Sequence, residues 1–377
     1  MYLDKNTMVK ISNLLNIEEV KSDVNFWMIR TKKGFFYDEF ISKEFVALGW
    51  NIIDNKVIDY IGTNRTKNKE IKTSIEYKYN SKQGTQILNK CIRFMREIKI
   101  GDIIMIPSRR NEEITFAIAG KYFEVDNLNY EKEIEIISRI DNNIDYGTEM
   151  ICPYKKRRKI KILKKVNGER LNPNLYKVLA SYHGISNIDG YAEYILSSIY
   201  NIYLWKNRLN AVFNVEKEGD IDAIALSSFI YNSSSLINSF DEGMHVTARV
   251  NLNSPGNVIL TIQNITNETV NILASHKTLL AIAFIWMLIT GGELGPIKFN
   301  SLLELIMKFR EQNSKLKSDK LDRELKQIQI KKENIELTDE MVKQAEKIKV
   351  SSESLQINKD DAKKVINLNS YRDEKDD

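Results

Sequence analysis

One stretch near the start of the chain, residues 25–51, limits the possible folds more than any other part of the sequence. It holds two short apolar segments, 26–29 and 45–48, with the basic turn Lys32-Lys33-Gly34 between them. Segments of this length and composition, separated by a glycine turn, predict two adjacent β-strands. Three side chains in or beside these strands stand out: Trp27, Arg30 and Trp50. Aromatic faces beside a guanidinium suit the stacking of a planar base, although the core of a sheet requires the same aromatic residues.

The composition is typical of a globular protein, with 42% of the residues hydrophobic and 28% charged. A chain of 377 residues is too long for one ordinary core and suits two domains plus an extension. The net charge is only +5, so the placement of the charges is more informative than their sum. The two cysteines, Cys91 and Cys152, lack metal-ligand spacing, and no secretory segment is recognisable. We therefore expect a reducing, cytoplasmic setting.

The first 168 residues predict a short leading helix and then a small, strongly curved sheet. Apolar residues at helical spacing place the leading helix within residues 1–22. A second helix is predicted over 83–98, because its apolar residues repeat with a 3.6-residue period and basic residues fall between them. Strands are predicted at 103–107 and 114–125, with Ser108-Arg109-Arg110-Asn111 as the turn between them. Together these elements predict a small β-barrel or curved sheet crossed by one helix.

The order of these motifs resembles a known family. The series WMIR, GFFYDEF, FVALGW, SKQGTQILNKCIRFMREIK, IGDIIMIPSRR and ITFAIAGKYFEV is similar to the N-terminal domain of Mrr-type restriction and other phage-defence proteins. That domain belongs to the PUA-like group and resembles EVE and YTH modules, which hold a modified or flipped base in an aromatic pocket. The resemblance covers roughly residues 24–166. It implies a base pocket formed by Trp27, Arg30, Trp50, Pro107, Ser108 and Tyr122.

A basic run over residues 153–165 contains eight Lys and Arg residues and predicts a strand with a cationic outer side. Together with the basic face of the predicted helix and the turn after the strand 103–107, it suggests contacts to phosphates. The predicted phosphate-binding residues are Arg93, Arg96, Arg109, Arg110, Lys155, Lys156, Arg157 and Arg158. Such contacts would give salt-dependent affinity with little sequence preference. A solvated charged face is the alternative interpretation of the run.

The remaining chain predicts a second α+β domain and a charged tail. Asn167-Gly168 and Pro173 mark the expected boundary, so that the reader domain covers 23–168 and the second domain 175–310. Within it we expect a strand, a helix and a hairpin around residues 253–257. The apolar run 278–290 is too short for a bilayer span and predicts a buried or oligomer helix. Residues 311–377 predict a charged helix that becomes disordered.

These observations predict a cytoplasmic nucleic-acid-binding protein, with DNA the favoured partner, that acts in restriction or phage defence. The second domain is expected to mediate homo-oligomer formation or contact with a defence-system partner. No P-loop, HExxH or GxSxG motif is present, and we predict no catalytic residue, metal ligand or cofactor. One alternative is a Mg²⁺-dependent nuclease or its specificity subunit, using Asp54 or Asp59 with Glu76. Another is a membrane-associated effector triggered by ligand binding to the first domain.

Overall fold

The computed structural model describes residues 18–62, 64–142, 152–181, 183–215, 219–240, 245–251 and 256–263, with a few isolated residues beyond them. The described strands are β1 (Glu18–Val20), β2 (Phe26–Ile29), β3 (Phe45–Leu48), β4 (Ile103–Pro107), β5 (Glu113–Glu124), β6 (Lys156–Asn167), β7 (Ile185–Asn187), β8 (Ile202–Trp205), β9 (Arg208–Val215), β10 (His245–Asn251), β11 (Gly256–Gln263), β12 (Glu293–Leu294) and β13 (Ile297–Lys298). The described α-helices are α1 (Tyr37–Ser42), α2 (Asn55–Ile61), α3 (Arg65–Lys78), α4 (Gly84–Ile92), α5 (Tyr130–Asp141), α6 (Tyr176–Leu179), α7 (Ala192–Ile199) and α8 (Ala223–Phe240). The chain divides into two units, and residues 23–199 form the larger part of one of them.

The sheet of the 23–199 unit has six strands in the order β3-β6-β5-β4-β2-β7. All of its neighbouring pairs are antiparallel except β2 and β4, which are parallel. The two longest strands, β5 and β6, pair along most of their length with register shifts after Phe116 and after Ala119. Such irregularities bend and twist the pair, and the sheet curls into a half-barrel. The predicted α+β class and the predicted curved sheet are confirmed at this level.

The predicted adjacency of the two tryptophan-bearing strands is wrong. β2 pairs with β4 and β7, whereas β3 pairs with β6, so three strands separate β2 from β3 in the sheet. The connection between them is the helix α1, because Phe36, Tyr37, Phe40 and Ile41 fall on one side of a helix and are buried. A tight turn would have joined the two strands as a hairpin, but this helix carries β3 away from β2.

The predicted domain boundary at residues 167–174 lies too early. Strand β7 pairs antiparallel with β2, with Ile29 opposite Ile185, and therefore completes the first sheet. Ile185, Ile195 and Leu196 are each at most 1% exposed. The first unit accordingly extends to Ile199 and includes α6, β7 and α7. The sequence signals of a loop were real, but the chain returns to the same sheet after that loop.

The predicted helix over 83–98 is confirmed as α4 followed by a π-helical turn, Arg93–Glu97. Its buried side carries Ile87, Leu88, Cys91 and Phe94, and these side chains belong to the core beneath the curled sheet. The predicted strands at 103–107 and 114–125 match β4 and β5. Periodicity identified these elements because each buries one continuous face.

The other unit contains the five-stranded sheet β1-β8-β9-β11-β10. The predicted strand, helix and hairpin are present as β9, α8, and the antiparallel pair β10 and β11. Glu18–Val20 form a strand parallel to β8, so the predicted leading helix does not extend to residue 22. Residues 1–17, the apolar run 278–290 and nearly all of the tail 311–377 lie outside the described residues. Among the described helices none is long and apolar enough to cross a membrane.

Candidate functional site

Two loops meet at one edge of the curled sheet. β2 and β4 are parallel neighbours, so the loops that follow them leave the sheet on the same side. These loops, together with Ile140 and Asp141 at the end of α5, surround a cavity of about 480 Å³. We call this cavity the cationic pocket. Its lining is Arg30, Thr31, Lys32, Lys33, Gly34, Phe35, Pro107, Ser108, Arg109, Arg110, Asn111, Ile140 and Asp141.

The two loops are in direct contact with each other. The Thr31 hydroxyl donates a hydrogen bond to the Pro107 carbonyl at 2.9 Å. Gly34 has a φ of +93°, and a Cβ at this position would lie 2.4 Å from the Cα of Arg109. Only glycine permits both that conformation and that approach without strain. Both loops also contain non-glycine residues with a positive φ, Lys32 and Lys33 in the first and Arg110 and Asn111 in the second.

The pocket carries a strong positive charge. Its lining includes five cations, Arg30, Lys32, Lys33, Arg109 and Arg110, and a single carboxylate, Asp141. Lys32 forms an ion pair with Asp141 at 2.9 Å. Among the residues that the structure describes, no carboxylate forms an ion pair with Lys33, Arg109 or Arg110. These three cations are exposed, so they are available to an anionic ligand.

Part of the predicted site is brought together here. From the predicted base pocket, Arg30, Pro107 and Ser108 line the cavity, and from the predicted phosphate contacts, Arg109 and Arg110 line it. Arg30 is also a structural residue, because its guanidinium donates to the carbonyls of Leu179 and Ser181. Members of both predicted sets therefore lie together at the ends of β2 and β4.

Trp27 does not belong to a pocket, which corrects the prediction. Its side chain is 3% exposed and belongs to the hydrophobic core. The indole Nε1–H donates to Oδ2 of Asp102 at 2.9 Å. Asp102 is fully buried and also accepts hydrogen bonds from the backbone N–H groups of Asn25 and Lys99. A tryptophan with its ring packed and its donor satisfied stabilises the fold and has no face left for a base.

Trp50 and Tyr122 also lie outside the lining of the cationic pocket. Trp50 is half-buried, and Nζ of Lys90 lies 5.6 Å from the centre of its ring. Its backbone has a φ of +63° and is held by Glu133, which accepts a hydrogen bond from the Trp50 N–H at 2.5 Å. The Tyr122 hydroxyl donates to Glu124 at 2.6 Å, and its ring packs edge-on against Phe94. Neither ring takes the predicted position beside Arg30.

The basic run is mainly structural, which corrects the prediction that it contacts phosphates. Lys156 is fully buried, and its Nζ donates to the carbonyls of Trp50 and Ile53, each at 2.8 Å. Burial lowers the pKa of Lys156. Arg158 is 3% exposed and donates to the carbonyls of Gly120 and Phe94. Burial lowers the pKa of Arg158 to about 10.

The flanking residues of the run are also engaged within the protein. Lys155 forms an ion pair with Asp54 at 2.9 Å. Burial alone would lower the pKa of Lys155, but the hydrogen bond and charge of Asp54 raise it above its ordinary value. Arg157 donates to the carbonyls of Cys152 and Tyr154 and lies over the ring of Phe45. The run starts strand β6, and its cations bind mainly backbone carbonyls of the segments next to the sheet.

The two arginines predicted on the helix face are exposed, but each is beside a carboxylate. Arg96 contacts Asp59 at 2.6 Å, and Arg93 lies 3.8 Å from Glu97. Exposed ion pairs of this kind are weak, so both arginines could exchange their partner for a phosphate. They lie outside the lining of the cationic pocket.

The carboxylates considered for a nuclease have separate structural partners. Asp54 caps α2 by accepting a hydrogen bond from the Val57 N–H. Burial alone would raise the pKa of Asp54, but the hydrogen bond and charge of Lys155 lower it below its ordinary value. Asp59 pairs with Arg96, and Glu76 accepts from the Gly84 N–H at 3.3 Å. Within the described ranges, no group of three or more His, Cys, Asp or Glu residues could hold a metal ion.

The sequence interpretation missed eight of the thirteen lining residues, among them Lys32, Lys33, Phe35 and Asp141. The turn Lys32-Lys33-Gly34 was visible as a basic turn, but nothing in the sequence indicated that it meets Arg109. The chain matches no protein-family model, no curated protein and no solved structure.

Proposed function

We propose that the 23–199 unit binds nucleic acid and holds its backbone phosphates in the cationic pocket. The observation that carries this proposal is the convergence of Arg30, Lys32, Lys33, Arg109 and Arg110 on one cavity that contains a single carboxylate. Arginine forks and lysine point charges are the side chains that proteins use to bind phosphate. The ligand would neutralise the exposed charges of Lys33, Arg109 and Arg110, with which no carboxylate in the described part of the protein forms an ion pair.

The size and rim of the pocket favour a nucleotide unit over an isolated inorganic anion. A volume of about 480 Å³ exceeds what one phosphate fills, and it lies in the range of sites for small organic ligands. Phe35 is 40% exposed at the pocket and offers an aromatic face to a sugar or an unstacked base. We therefore propose single-stranded or locally unpaired nucleic acid as the ligand. A PUA-like barrel and a role in restriction or phage defence remain predictions based on the sequence resemblance.

The proposal is tested by fluorescence anisotropy with a labelled 12-nucleotide DNA strand, its RNA counterpart and a DNA duplex. The full chain should bind the single strands with an affinity that falls as salt rises, because released counterions drive binding. The double variant Lys33→Ala with Arg109→Ala should bind weakly, and its salt slope should fall by about 1.4, at about 0.7 per lost phosphate contact.

A matched control removes the same charge elsewhere. Lys121 and Lys159 are exposed and lie outside the lining of the pocket, so the variant Lys121→Ala with Lys159→Ala has the same net charge as the pocket variant. It should retain most of the affinity. If both double variants bound alike, or if the parent protein bound with no dependence on salt, the proposal would be wrong.

A further inference from the structure

A second cavity, which we call the side groove, lies directly beside the cationic pocket. Arg110 and Asn111 line both cavities, so the loop that contains them forms the shared wall. The side groove has a volume of about 610 Å³. Its other lining residues are Glu112, Asn167, Gly168, Glu169, Tyr176, Leu179 and Ala180.

The wall between the two cavities is well fixed. The Gly168 N–H donates to the Glu112 carbonyl at 2.8 Å. A Cβ at Gly168 would lie 1.8 Å from the carbonyl oxygen of Asn111, so only glycine fits against this loop. Tyr176 donates a hydrogen bond from its hydroxyl to the Gly168 carbonyl at 3.3 Å. A ligand unit in the side groove would therefore meet a preformed surface.

The side groove differs from the cationic pocket in charge. Its lining contains one cation, Arg110, and two carboxylates, Glu112 and Glu169, whereas the cationic pocket has five cations and one carboxylate. Phosphates are repelled by carboxylates, so a nucleic acid strand would place its backbone in the pocket and away from the groove. A carboxylate is, however, a good acceptor for the exocyclic amino group of a base.

The groove also offers a surface for stacking. Tyr176 is 43% exposed and presents its ring at the groove, next to the apolar side chain of Leu179. Stacking on an aromatic ring is available to every base, because each base has a π-face. Stacking therefore gives affinity here, and the two carboxylates give selectivity.

We propose that the side groove binds the base of a nucleotide adjacent to the bound phosphate and selects bases that display an amino group. This inference rests on the proposed nucleic-acid binding by the cationic pocket. Cytosine carries an amino group at the position where thymine and uracil carry a carbonyl oxygen. The amino group can donate a hydrogen bond to Glu112 or Glu169. The carbonyl oxygen cannot, because both it and the carboxylates are hydrogen-bond acceptors. The groove would accordingly prefer cytosine to thymine or uracil.

The test compares labelled strands of twelve deoxycytidines, twelve thymidines and twelve deoxyuridines with the full chain. The three bases are similar in size. Thymine differs from cytosine in its methyl group as well as in its carbonyl oxygen, whereas uracil lacks the methyl group, so the deoxyuridine strand isolates the effect of the amino group. The parent protein should bind the cytosine strand about 5-fold or more tightly than the other two, the lower end of the discrimination given by a good base contact. Equal affinities would overturn the inference.

Two variants connect the preference to the groove. In Glu112→Gln with Glu169→Gln, the ratio of affinities should fall towards one. The thymidine and deoxyuridine strands should bind more tightly than they bind the parent, because the carboxylates that face their carbonyl oxygens are gone. Tyr176→Ala should weaken all strands by about 5- to 150-fold, because it removes the stacking ring. Tyr176→Phe keeps the ring and loses only the hydrogen bond to the Gly168 carbonyl, so it should weaken them less than Tyr176→Ala does. A cytosine preference that survived the double glutamine variant would place selectivity outside the groove.

Failure of this inference is distinguishable from failure of the proposed function. If the cationic pocket did not bind nucleic acid, the variant Lys33→Ala with Arg109→Ala would bind all three strands as the parent does. If only the groove inference failed, that variant would lose affinity while the parent protein bound cytosine and thymine strands equally. Thermal melting of each variant shows whether a loss of binding comes from unfolding.

Discussion

Replacing Trp27 by Phe tests whether this ring is part of the core or part of a ligand site. The change keeps an aromatic ring in the core but removes the indole N–H that donates to Asp102 at 2.9 Å. Asp102 is fully buried and would keep the backbone donors of Asn25 and Lys99 and the more distant side-chain amide of Asn25 at 3.5 Å, and it would lose the indole donor. The expected effect is therefore on folding and not on binding.

The magnitude follows from two contributions. A hydrogen bond to a charged group stabilises by about 1.5–3 kcal/mol, and its loss leaves the carboxylate of Asp102 under-solvated. The smaller ring also leaves part of the Trp27 site empty, which costs about 1 kcal/mol more. A total of about 2.5–4 kcal/mol corresponds to a Tm lower by roughly 5–16 °C for a unit of this size.

Scanning calorimetry of the full chain measures the change, and a double-mutant cycle assigns it. Asp102→Asn keeps the shape of the partner, so the variants Trp27→Phe and Asp102→Asn should be coupled by about 1–3 kcal/mol. Additive effects would show that the hydrogen bond does not matter. A Trp27→Phe protein that melts like the parent but loses affinity for nucleic acid would refute the core assignment and restore Trp27 to the ligand site.

Three further predictions concern the buried cation, an acidic group and the loop contact. Lys156→Met removes the Nζ donor from the buried carbonyl of Ile53 and one of two donors from the carbonyl of Trp50, which keeps the Ile53 N–H. The free energy of unfolding, measured by urea denaturation, should fall by about 1–3 kcal/mol, and a variant as stable as the parent would contradict this. Burial raises the pKa of Glu18 from 4.5 to about 7. Between pH 4.5 and about 7 the folded state holds a proton that the unfolded state has lost, so the free energy of unfolding should fall by up to about 3 kcal/mol as the pH rises through this window. Glu18→Gln should remove this pH dependence, which thermal melts at pH 5 and pH 8 measure. Gly34→Ala should weaken binding of the 12-nucleotide strand and lower the Tm, because its Cβ would meet Arg109 at 2.4 Å. Gly190→Ala, whose Cβ would meet nothing within 4 Å, should change neither.

The sequence alone determined the local elements whose faces are continuous. The helix α4, the strands β4 and β5, and the hairpin of β10 and β11 all follow from the spacing of apolar residues and from turn residues. These elements are set by which side of a helix or strand is buried, and that information lies within a few residues of each position. The α+β class follows from them in turn.

The neighbours of each strand could not be read from the sequence. Strand β2 lies between β4 and β7, whereas β3, its neighbour along the chain, pairs with β6 at the far edge. Pairing depends on which distant segments cover the same apolar face, because hydrogen bonds between strands are available to any backbone. The end of the first unit at Ile199 could not be predicted for the same reason, because it depends on the pairing of β7 with the distant strand β2.

The role of each charged residue was likewise decided by the tertiary structure. Lys156 and Arg109 both belong to basic clusters in the sequence, yet one is buried on backbone carbonyls and the other is exposed in the cationic pocket. The difference is whether the fold places backbone carbonyls beside the side chain, as it places those of Trp50 and Ile53 beside Lys156. A buried ammonium must find such acceptors in the protein, whereas an exposed guanidinium at a loop can take them from a ligand. Local sequence supplies the charge, and only the folded chain decides which partner neutralises it.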